Sequence, residues 1–270
     1  MLTVSTVNVN GLRAAARKGY LAWLAGSQAD VVCLQEVRAE ESQLTDEVRA
    51  PAGWHAVYAP ALATRGRAGV ALLTRREPDE VRTGIGVPEF EETGRYLEAD
   101  LPGLTVASLY LPSGDVGSER QDQKEHFMAA FLPYLVELRA RAAAAGREVL
   151  VCGDWNIAHR EADLRNWRAN RDRSGFLPEE RAWLSRVFGD GSGDAGYVDV
   201  VRALHPDQEG PYSWWTYRGR AFDTDTGWRI DYHVATPGLA GRAVKAGVER
   251  APSYAERWSD HAPVTVVYDG

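Results

Sequence analysis

One apolar run that ends in polar side chains is the part of the chain best suited to chemistry. Residues 149–152 contain no polar residue, which is typical of a strand buried on both faces. Gly153, Asp154 and Asn156 follow at once. Asp154 and Asn156 stand two positions apart and so lie on one side of an extended chain, while Gly153 lets the backbone approach a bound group. These residues could also simply form a polar turn that closes the strand.

Other predicted strands end in the same way, which favours a shared site over a series of turns. Each residue alone has an ordinary explanation, such as a turn cap or half of an ion pair. Several of them lie at the carboxyl ends of buried strands, where ligands bind in open sheets. Carboxylate and amide oxygens without thiols suit a hard cation, Mg²⁺ or Mn²⁺, better than zinc. The strand-end set is Asn8, Asn10, Glu36, Tyr110, Asp154, Asn156, Asp231, Asp260 and His261.

The elements that must position this set follow from hydrophobic periodicity. The pattern predicts strands at 2–10, 31–36, 56–62, 69–75, 149–152, 212–217, 228–235 and 262–268, with a hairpin at 95–111. Helices are predicted at 11–25 and 119–145, and a third begins at Pro178. Pro133 predicts a kink or a late start in the second helix. Strands and helices do not alternate strictly, so we expect two packed mixed sheets with helices outside, in one domain spanning 1–270.

Composition narrows the functional class only mildly. The 270 residues carry a formal charge of -7, which argues against bulk attraction to nucleic acid but allows a local basic rim. Cys33 and Cys152 lie in apolar runs and are expected to be reduced core residues. A strand pattern begins at residue 2, and no apolar stretch approaches membrane-spanning length. We therefore expect a cytoplasmic protein with no membrane contact.

Seven motifs, in order along nearly the whole chain, resemble those of the exonuclease III family of AP endonucleases. That family belongs to the wider endonuclease/exonuclease/phosphatase superfamily, and the resemblance implies a four-layer α/β sandwich. The motifs are Thr6-Val-Asn-Val-Asn-Gly-Leu-Arg13, Leu34-Gln-Glu36, Gly69-Val70, Tyr110-Leu-Pro112, Gly153-Asp-Trp-Asn156, Trp228-Arg-Ile-Asp-Tyr232 and Ser259-Asp-His261.

The resemblance implies a catalytic role for six of the strand-end residues. Asp154 would orient or deprotonate the attacking water, and Asp231 would orient His261, which would present a donating nitrogen to the phosphate. Neutral donors to the phosphate oxygens, or to neighbouring carboxylates, would come from Asn156, Asn8 and Tyr110.

The resemblance also implies the metal site. Glu36 would be the principal ligand, with Asn10 and Asp260 as further or water-mediated ligands. Asn10 stands where many relatives carry Asp, which removes one charge from this site. Two further departures lie nearby: Ser113 replaces a frequent Asn or Gln, and Arg67 replaces a frequent aromatic residue.

Two groups of residues bear on the substrate. Trp214, Trp228 and Ile230 match positions that line a pocket for an extrahelical abasic sugar in the family, although two core tryptophans would give the same pattern. Trp215 is expected in the core. Residues 160–175 are rich in Arg and Asn and are expected to contact the DNA backbone. The alternative is an ordinary solvated loop. The pattern predicts that Trp167 in this segment is exposed. The residues expected at DNA are Arg165, Trp167, Arg168, Arg171 and Arg173.

The expected function is therefore a monomeric, Mg²⁺-dependent (or Mn²⁺-dependent) DNA repair phosphodiesterase. Its expected substrates are the 3′ ends of duplex DNA and abasic sites, which it would incise on the 5′ side. One rival is a phosphatase or phosphodiesterase of the same superfamily that acts on small or lipid phosphoesters. A second rival, a non-catalytic DNA-binding module, predicts missing catalytic residues, yet all of them are present.

Overall fold

Two six-stranded mixed sheets form the centre of the computed structural model, which describes residues 1–189, 191 and 194–270. The strands are β1 Leu2–Asn8, β2 Val31–Gln35, β3 His55–Ala59, β4 Val70–Thr74, β5 Glu80–Thr83, β6 Tyr96–Leu101, β7 Leu104–Tyr110, β8 Glu148–Asp154, β9 Val198–Asp199, β10 Asp231–Ala235, β11 Ala243–Val248 and β12 Val264–Tyr268. The helices are α1 Leu12–Ala16, α2 Tyr20–Gly26, α3 Asp46–Arg49, α4 Glu119–Ala144, α5 Trp167–Asn170, α6 Pro178–Phe188, α7 Val200–Leu204 and α8 Pro237–Ala240.

The two sheets share one internal pattern. The first has the order β11-β12-β1-β2-β4-β3 and the second β5-β6-β7-β8-β10-β9. In each, a central parallel pair, β1/β2 or β7/β8, is flanked by antiparallel strands. The carboxyl ends of the parallel strands therefore meet the amino ends of β12 and β10 at one edge. That edge gathers the polar side chains that follow the strands.

Apolar packing gives the four layers that the motifs predicted. Both cysteines are free and fully buried between the sheets, as expected. Helix α4 covers the outer face of the second sheet through Phe127, Phe131 and Leu135, each at most 1% exposed. Burying each such side chain contributes about 1.5–3 kcal/mol. Helices α1 and α2 cover the outer face of the first sheet, so the α/β sandwich is confirmed.

Several local predictions were wrong for identifiable reasons. The helix predicted at 11–25 is two short helices, because Gly19 adopts a φ of 147° between them. Helix α4 continues through Pro133 without a late start. The segment 212–217 is not a strand: Ser213 and Trp214 both donate their N–H groups to the Trp228 carbonyl, so it pairs with a loop instead of a sheet. Strands β5 and β11 were missed because neither contains a buried residue: β5 is largely exposed, and β11 is half-buried with no regular apolar alternation.

No helix within the described ranges is long and apolar enough to cross a membrane.

Candidate active site

Two matching turns lie at the centre of the site, one from each sheet. After β1, the Asn10 N–H donates to Asn8 Oδ1 at 3.0 Å; after β8, the Asn156 N–H donates to Asp154 Oδ1 at 2.9 Å. Asn10 and Asn156 both adopt left-handed conformations, with φ values of 47° and 50°. Asparagine tolerates this region because its short polar side chain bonds locally. Each turn therefore aims its first side chain at the other sheet.

Asn8 joins the two sheets. Its Nδ2 donates to Glu36 Oε1 and to Asp154 Oδ2, both at 2.9 Å, and the side chain is fully buried. Both amide hydrogens are thereby used, and the amide holds two carboxylates close together while separating their charges. Asn8 is thus a bridge between the predicted metal ligand and the predicted base.

Glycine is needed at position 153 for a different reason from the one that the sequence suggested. Its φ is 147°, and a Cβ at this position would lie 1.9 Å from the Leu109 carbonyl oxygen of β7. The glycine is therefore needed for the close approach of a neighbouring strand rather than for contact with a ligand.

His261 and Asp231 form a buried pair beside Asp154. His261 Nδ1 lies 2.8 Å from Asp231 Oδ2, and His261 Nε2 lies 3.8 Å from Asp154 Oδ2. The His261 backbone N–H donates to Ser259 Oγ, and that hydroxyl donates to the Asn8 backbone carbonyl. Since Nδ1 is held by Asp231, the Nε2 side of the ring is directed to the Asp154 carboxylate.

Burial and neighbouring charges set the protonation of this pair. Burial alone lowers the pKa of His261, but the Asp231 carboxylate outweighs it and raises that pKa to about 10. Burial raises the pKa of Asp154 to about 7; His261 and Asn8 oppose this shift, and Asp231 and Glu36 add to it. At neutral pH the imidazole is therefore charged and carries a proton on each nitrogen, while Asp154 lies close to its titration point.

Glu36 reaches the site through an unfavourable backbone conformation. Its φ is 51°, which costs a non-glycine residue about 1–3 kcal/mol. Backbone bonds on both sides hold it there: Gly11 donates to the Glu36 carbonyl, and the next residue, Val37, donates to Gly69. Arg38 contacts the Glu36 carboxylate. Strain of this kind is concentrated at functional sites.

The chemistry of this cluster fits a metal ion. Ligand atoms of Asp154, Asp231 and His261 lie within 4.8 Å of one another, and Asn8 links Glu36 to them. A charged His261 has no free lone pair, so the carboxylate oxygens are the atoms that could bind an ion. The Asp231 Oδ1 atom is buried and has no hydrogen-bond partner among the described residues. Oxygen-rich donors without thiols match a hard divalent cation. The structure therefore holds an acidic cluster able to bind a metal.

Asp260 is held by two donors at the edge of this cluster. Asn10 Nδ2 donates to Asp260 Oδ1 at 2.8 Å, and Trp214 Nε1 donates to Asp260 Oδ2 at 3.0 Å. The neutral Asn10 therefore binds Asp260 directly, where a carboxylate would repel it.

A cleft of about 1070 Å³ opens above these residues. Tyr110 lines the cleft, and its ring centre lies 5.2 Å from the Arg95 guanidinium. Burial, and after it the nearby Glu36 carboxylate, raise the pKa of the Tyr110 hydroxyl. Trp214, Trp228 and Ile230 form one wall, with the two indoles edge to face at 6.1 Å. The predicted pocket residues thus lie in the same cleft as the predicted catalytic residues. Trp215 is 1% exposed, as expected of a core residue.

A buried ion network supports this wall from behind. Arg229 lies between Trp228 and Ile230 in sequence and donates to Asp163 at 2.8 Å and to Asp199 at 2.7 Å. Arg202 also contacts Asp163. Since the carboxylates and both guanidiniums are buried and paired, the network ties the start of the 160–175 segment to the wall of the cleft.

The Arg-rich segment meets the cleft through Arg173, which was expected at DNA, and through two asparagines that were not. Asn166, Asn170 and Arg173 line it. Trp167 is half-buried against the Trp214/Trp228 cluster, so the expectation of an exposed ring was wrong. The remaining three arginines are exposed outside the cleft lining: Arg165 contacts Glu209, Arg168 stacks on Trp167 at 4.4 Å, and Arg171 pairs with Asp172 at 3.4 Å.

Sequence reasoning missed three cationic residues of the cleft. Arg38, Arg95 and Arg120 line it, and Arg120 donates to Ser113 Oγ at 2.8 Å. Arg38 stands two positions after Glu36, a spacing that could have identified it. Arg95 and Arg120 carry no comparable local signal. With Arg67 and Arg173, these residues place cations around an acidic centre, as binding of a polyanion beside a metal requires.

Comparison with known proteins agrees with this geometry. The sequence model of the Endonuclease/Exonuclease/phosphatase family matches residues 5–261. The chain is 38% identical to the exodeoxyribonuclease of Bacillus subtilis, over 96% of each protein. It is 34% identical to the DNA repair nuclease APEX1 of Danio rerio, over 98% of this chain and 81% of that protein.

A solved structure gives the same result. An AP endonuclease from Archaeoglobus fulgidus superposes with a TM-score of 0.87 and 27% identity, over 100% of both chains. With the family match spanning almost every residue and both sheets aligned, the chain belongs to the endonuclease/exonuclease/phosphatase family, as its motifs predicted.

Proposed function

We propose that this protein is a Mg²⁺-dependent DNA repair nuclease that removes nucleotides from 3′ ends of duplex DNA and incises 5′ to abasic sites. The general class, a DNA repair nuclease, is confirmed by the named relatives. The metal, the abasic substrate and the residue roles are inferred from the cleft. The observation that carries the proposal is that the single amide of Asn8 donates to both Glu36 and Asp154, with His261 Nε2 3.8 Å from Asp154.

Asp154 is the proposed base. Phosphodiester hydrolysis needs an activated water, neutralised charge on the phosphoryl oxygens and help for the leaving oxygen. One Asp154 oxygen accepts from the Asn156 N–H and the other accepts from Asn8, so the carboxylate is held in one orientation. Its raised pKa suits proton transfer near neutral pH.

His261 is the proposed hydrogen-bond donor to the substrate phosphate. The hydrogen bond from Nδ1 to Asp231 keeps the imidazole charged and fixes its orientation. Nε2 lies 3.8 Å from Asp154, close enough for His261 and Asp154 to contact the same phosphate. Tyr110 and Asn156 line the same cleft and supply neutral donors. Such preorganised donors act strongly where water is excluded.

Glu36 is the proposed main metal ligand, with Asn10 and Asp260 as further or water-mediated ligands. A bound divalent ion would supply charge for the phosphoryl and leaving oxygens. Asn8 would keep Glu36 at a constant distance from Asp154, so that metal and base act on one phosphate.

The proposed substrate contacts divide by chemistry. Trp214, Trp228 and Ile230 offer an apolar wall that admits a deoxyribose without its base. Arg165, Trp167, Arg168 and Arg171 are proposed to contact the DNA backbone beyond the cleft. We also propose that residues 1–270 act as one catalytic domain, because both sheets contribute to a single site. A cytoplasmic monomer remains part of the proposal.

Incision of a labelled abasic duplex, with and without chelator and beside an undamaged duplex, tests the proposal. We expect incision of the abasic strand that disappears with chelator, together with shortening of 3′ ends. Faster turnover of small phosphoesters than of either duplex would favour the phosphatase alternative. DNA binding without any cleavage would favour a binding module.

A further inference from the structure

Two exposed aromatic side chains lie next to each other outside the cleft. Tyr217 and Tyr254 are each 44% exposed, whereas every other Trp, Tyr and Phe in the described ranges is buried or half-buried. Their ring centroids are 6.4 Å apart at an interplanar angle of 84°. A single exposed apolar residue needs no explanation, but two adjacent rings in an otherwise covered set indicate a surface kept open for a ligand.

A buried cation lies beneath both rings. Arg257 is 8% exposed, and its guanidinium carbon lies 4.7 Å from the Tyr217 ring centre and 4.3 Å from that of Tyr254. The guanidinium therefore covers part of each ring, while each tyrosine remains 44% exposed. Arg257 Nη1 donates to the Trp215 carbonyl, but Nε and Nη2 are buried with no partner among the described residues. The cation–π contacts hold the rings in place.

This aromatic pair adjoins the metal side of the proposed active site. The Tyr217 hydroxyl lies near the Asn10 side chain, which itself donates to Asp260. Thr216, the preceding residue, lines the cleft, and the following residue, Arg218, is exposed. A polynucleotide in the cleft can therefore pass from the acidic centre onto the rings without leaving the protein surface.

We propose that Tyr217 and Tyr254 form a stacking platform for an unpaired nucleobase at the end of the DNA being processed. An aromatic ring stacks on any base with a free face, and a neighbouring arginine suits the adjoining phosphate. A base inside a duplex has both faces covered, and a paired terminal base is held in the helix by its partner. An unpaired terminal base is free to turn onto a ring, so the platform selects a frayed or mismatched end. Two side chains are too small a surface for a stable protein partner. This inference rests on the proposed function, because it assumes DNA in the cleft.

Fluorescence binding with a terminal 2-aminopurine tests the platform. The full-length protein, in chelator, is titrated with a duplex whose 3′-terminal 2-aminopurine is either mismatched or paired. We expect quenching and tighter binding for the mismatched end. Tyr254→Ala should weaken binding of that duplex by about fivefold or more, the range for one base on one aromatic ring, and so reduce the preference over the paired duplex. Tyr254→Phe, which keeps the ring, should retain the preference.

Two comparisons make the result decisive. Val244→Ala removes another exposed apolar side chain, 55% exposed on β11, and should leave the preference unchanged. A Tyr254→Ala protein that unfolds at lower temperature yet keeps the wild-type preference would show that the ring only covers Arg257, and would overturn the proposal. Cleavage of the paired duplex by wild-type protein with Mg²⁺ reports the proposed nuclease function separately.

Discussion

The two sheets of this protein present the same turn at the same place but with different chemistry. In the first sheet, β1 ends in Asn8 and Asn10; in the second, β8 ends in Asp154 and Asn156. Both turns use the same backbone-to-side-chain bond and the same left-handed asparagine. Equivalent positions therefore carry a neutral amide in one sheet and a carboxylate in the other.

The difference explains how several acidic groups coexist in a buried space. A carboxylate at position 8 would face Asp154 and Glu36 at hydrogen-bond distance, and like charges that close cannot all ionise. The amide donates to both instead. One sheet thus supplies the bridging donor and the proposed metal ligand Glu36, while the other supplies the proposed base.

Replacing Asp154 with Asn would make the two turns chemically identical. The amide oxygen can still accept from the Asn156 N–H, so the turn should keep its shape. We expect turnover of abasic DNA to fall by at least about two orders of magnitude, the usual scale for loss of a general base, with DNA binding retained. Single-turnover incision and anisotropy binding measure the two quantities. Near-normal turnover would remove Asp154 from the base role.

The reverse exchange, Asn8→Asp, places a third carboxylate between Asp154 and Glu36. It should raise the pKa of Asp154 above its value of about 7. Since an ionised Asp154 is required, turnover below that pKa should fall about tenfold for each unit of increase, and activity should recover as pH rises. The pH–rate profile checks this. An unshifted profile would show that Asn8 does not control the base.

Glu36→Ala tests whether the first sheet holds the metal. Loss of the carboxylate should raise the Mg²⁺ concentration needed for half-maximal activity, because the remaining proposed ligands provide less negative charge. A Mg²⁺ titration of the wild-type protein and of the variant measures it. An unchanged titration would exclude Glu36 from the site.

The buried network behind the second sheet predicts a pH dependence of stability. Burial alone would raise the pKa of Asp163, but Arg229 and Arg202 outweigh it and lower that pKa to about 2. An unfolded Asp titrates near 3.9, so this stabilisation is complete above that pH and is lost as pH falls towards 2. The free energy of unfolding in urea, measured across this pH window, should fall less steeply with decreasing pH for Asp163→Asn than for the wild-type protein. Equal slopes would contradict the assignment.

The smallest expected effect concerns the arginines outside the cleft. If Arg168 and Arg171 each contact one phosphate, replacing both with Ala should lower the salt slope of DNA binding by about 0.9 per contact. Arg242→Ala is the control, because Arg242 lies at the opposite end of the sandwich beside Met1 and Gly270. An unaltered slope for the double variant would make this segment a solvated surface.

Local pattern determined the types of residue at the strand ends and the packing of α4. Buried strands must be apolar and must stop when polar residues begin, and a buried helix face must repeat every three or four residues. Both rules act within a few residues, so the candidate Asp154 and the stripe of Phe127 and Phe131 could be found without coordinates.

Only the tertiary structure decided how those residues meet. Asn8 and Asp154 are 146 positions apart, and their contact depends on the packing of two sheets. The left-handed Glu36, the arginines of the cleft and the loop pairing of 212–217 likewise depend on neighbours far away in sequence. Local periodicity cannot predict contacts between residues so far apart. The two turns are brought together by the packing of one sheet on the other and not by the pattern of either strand.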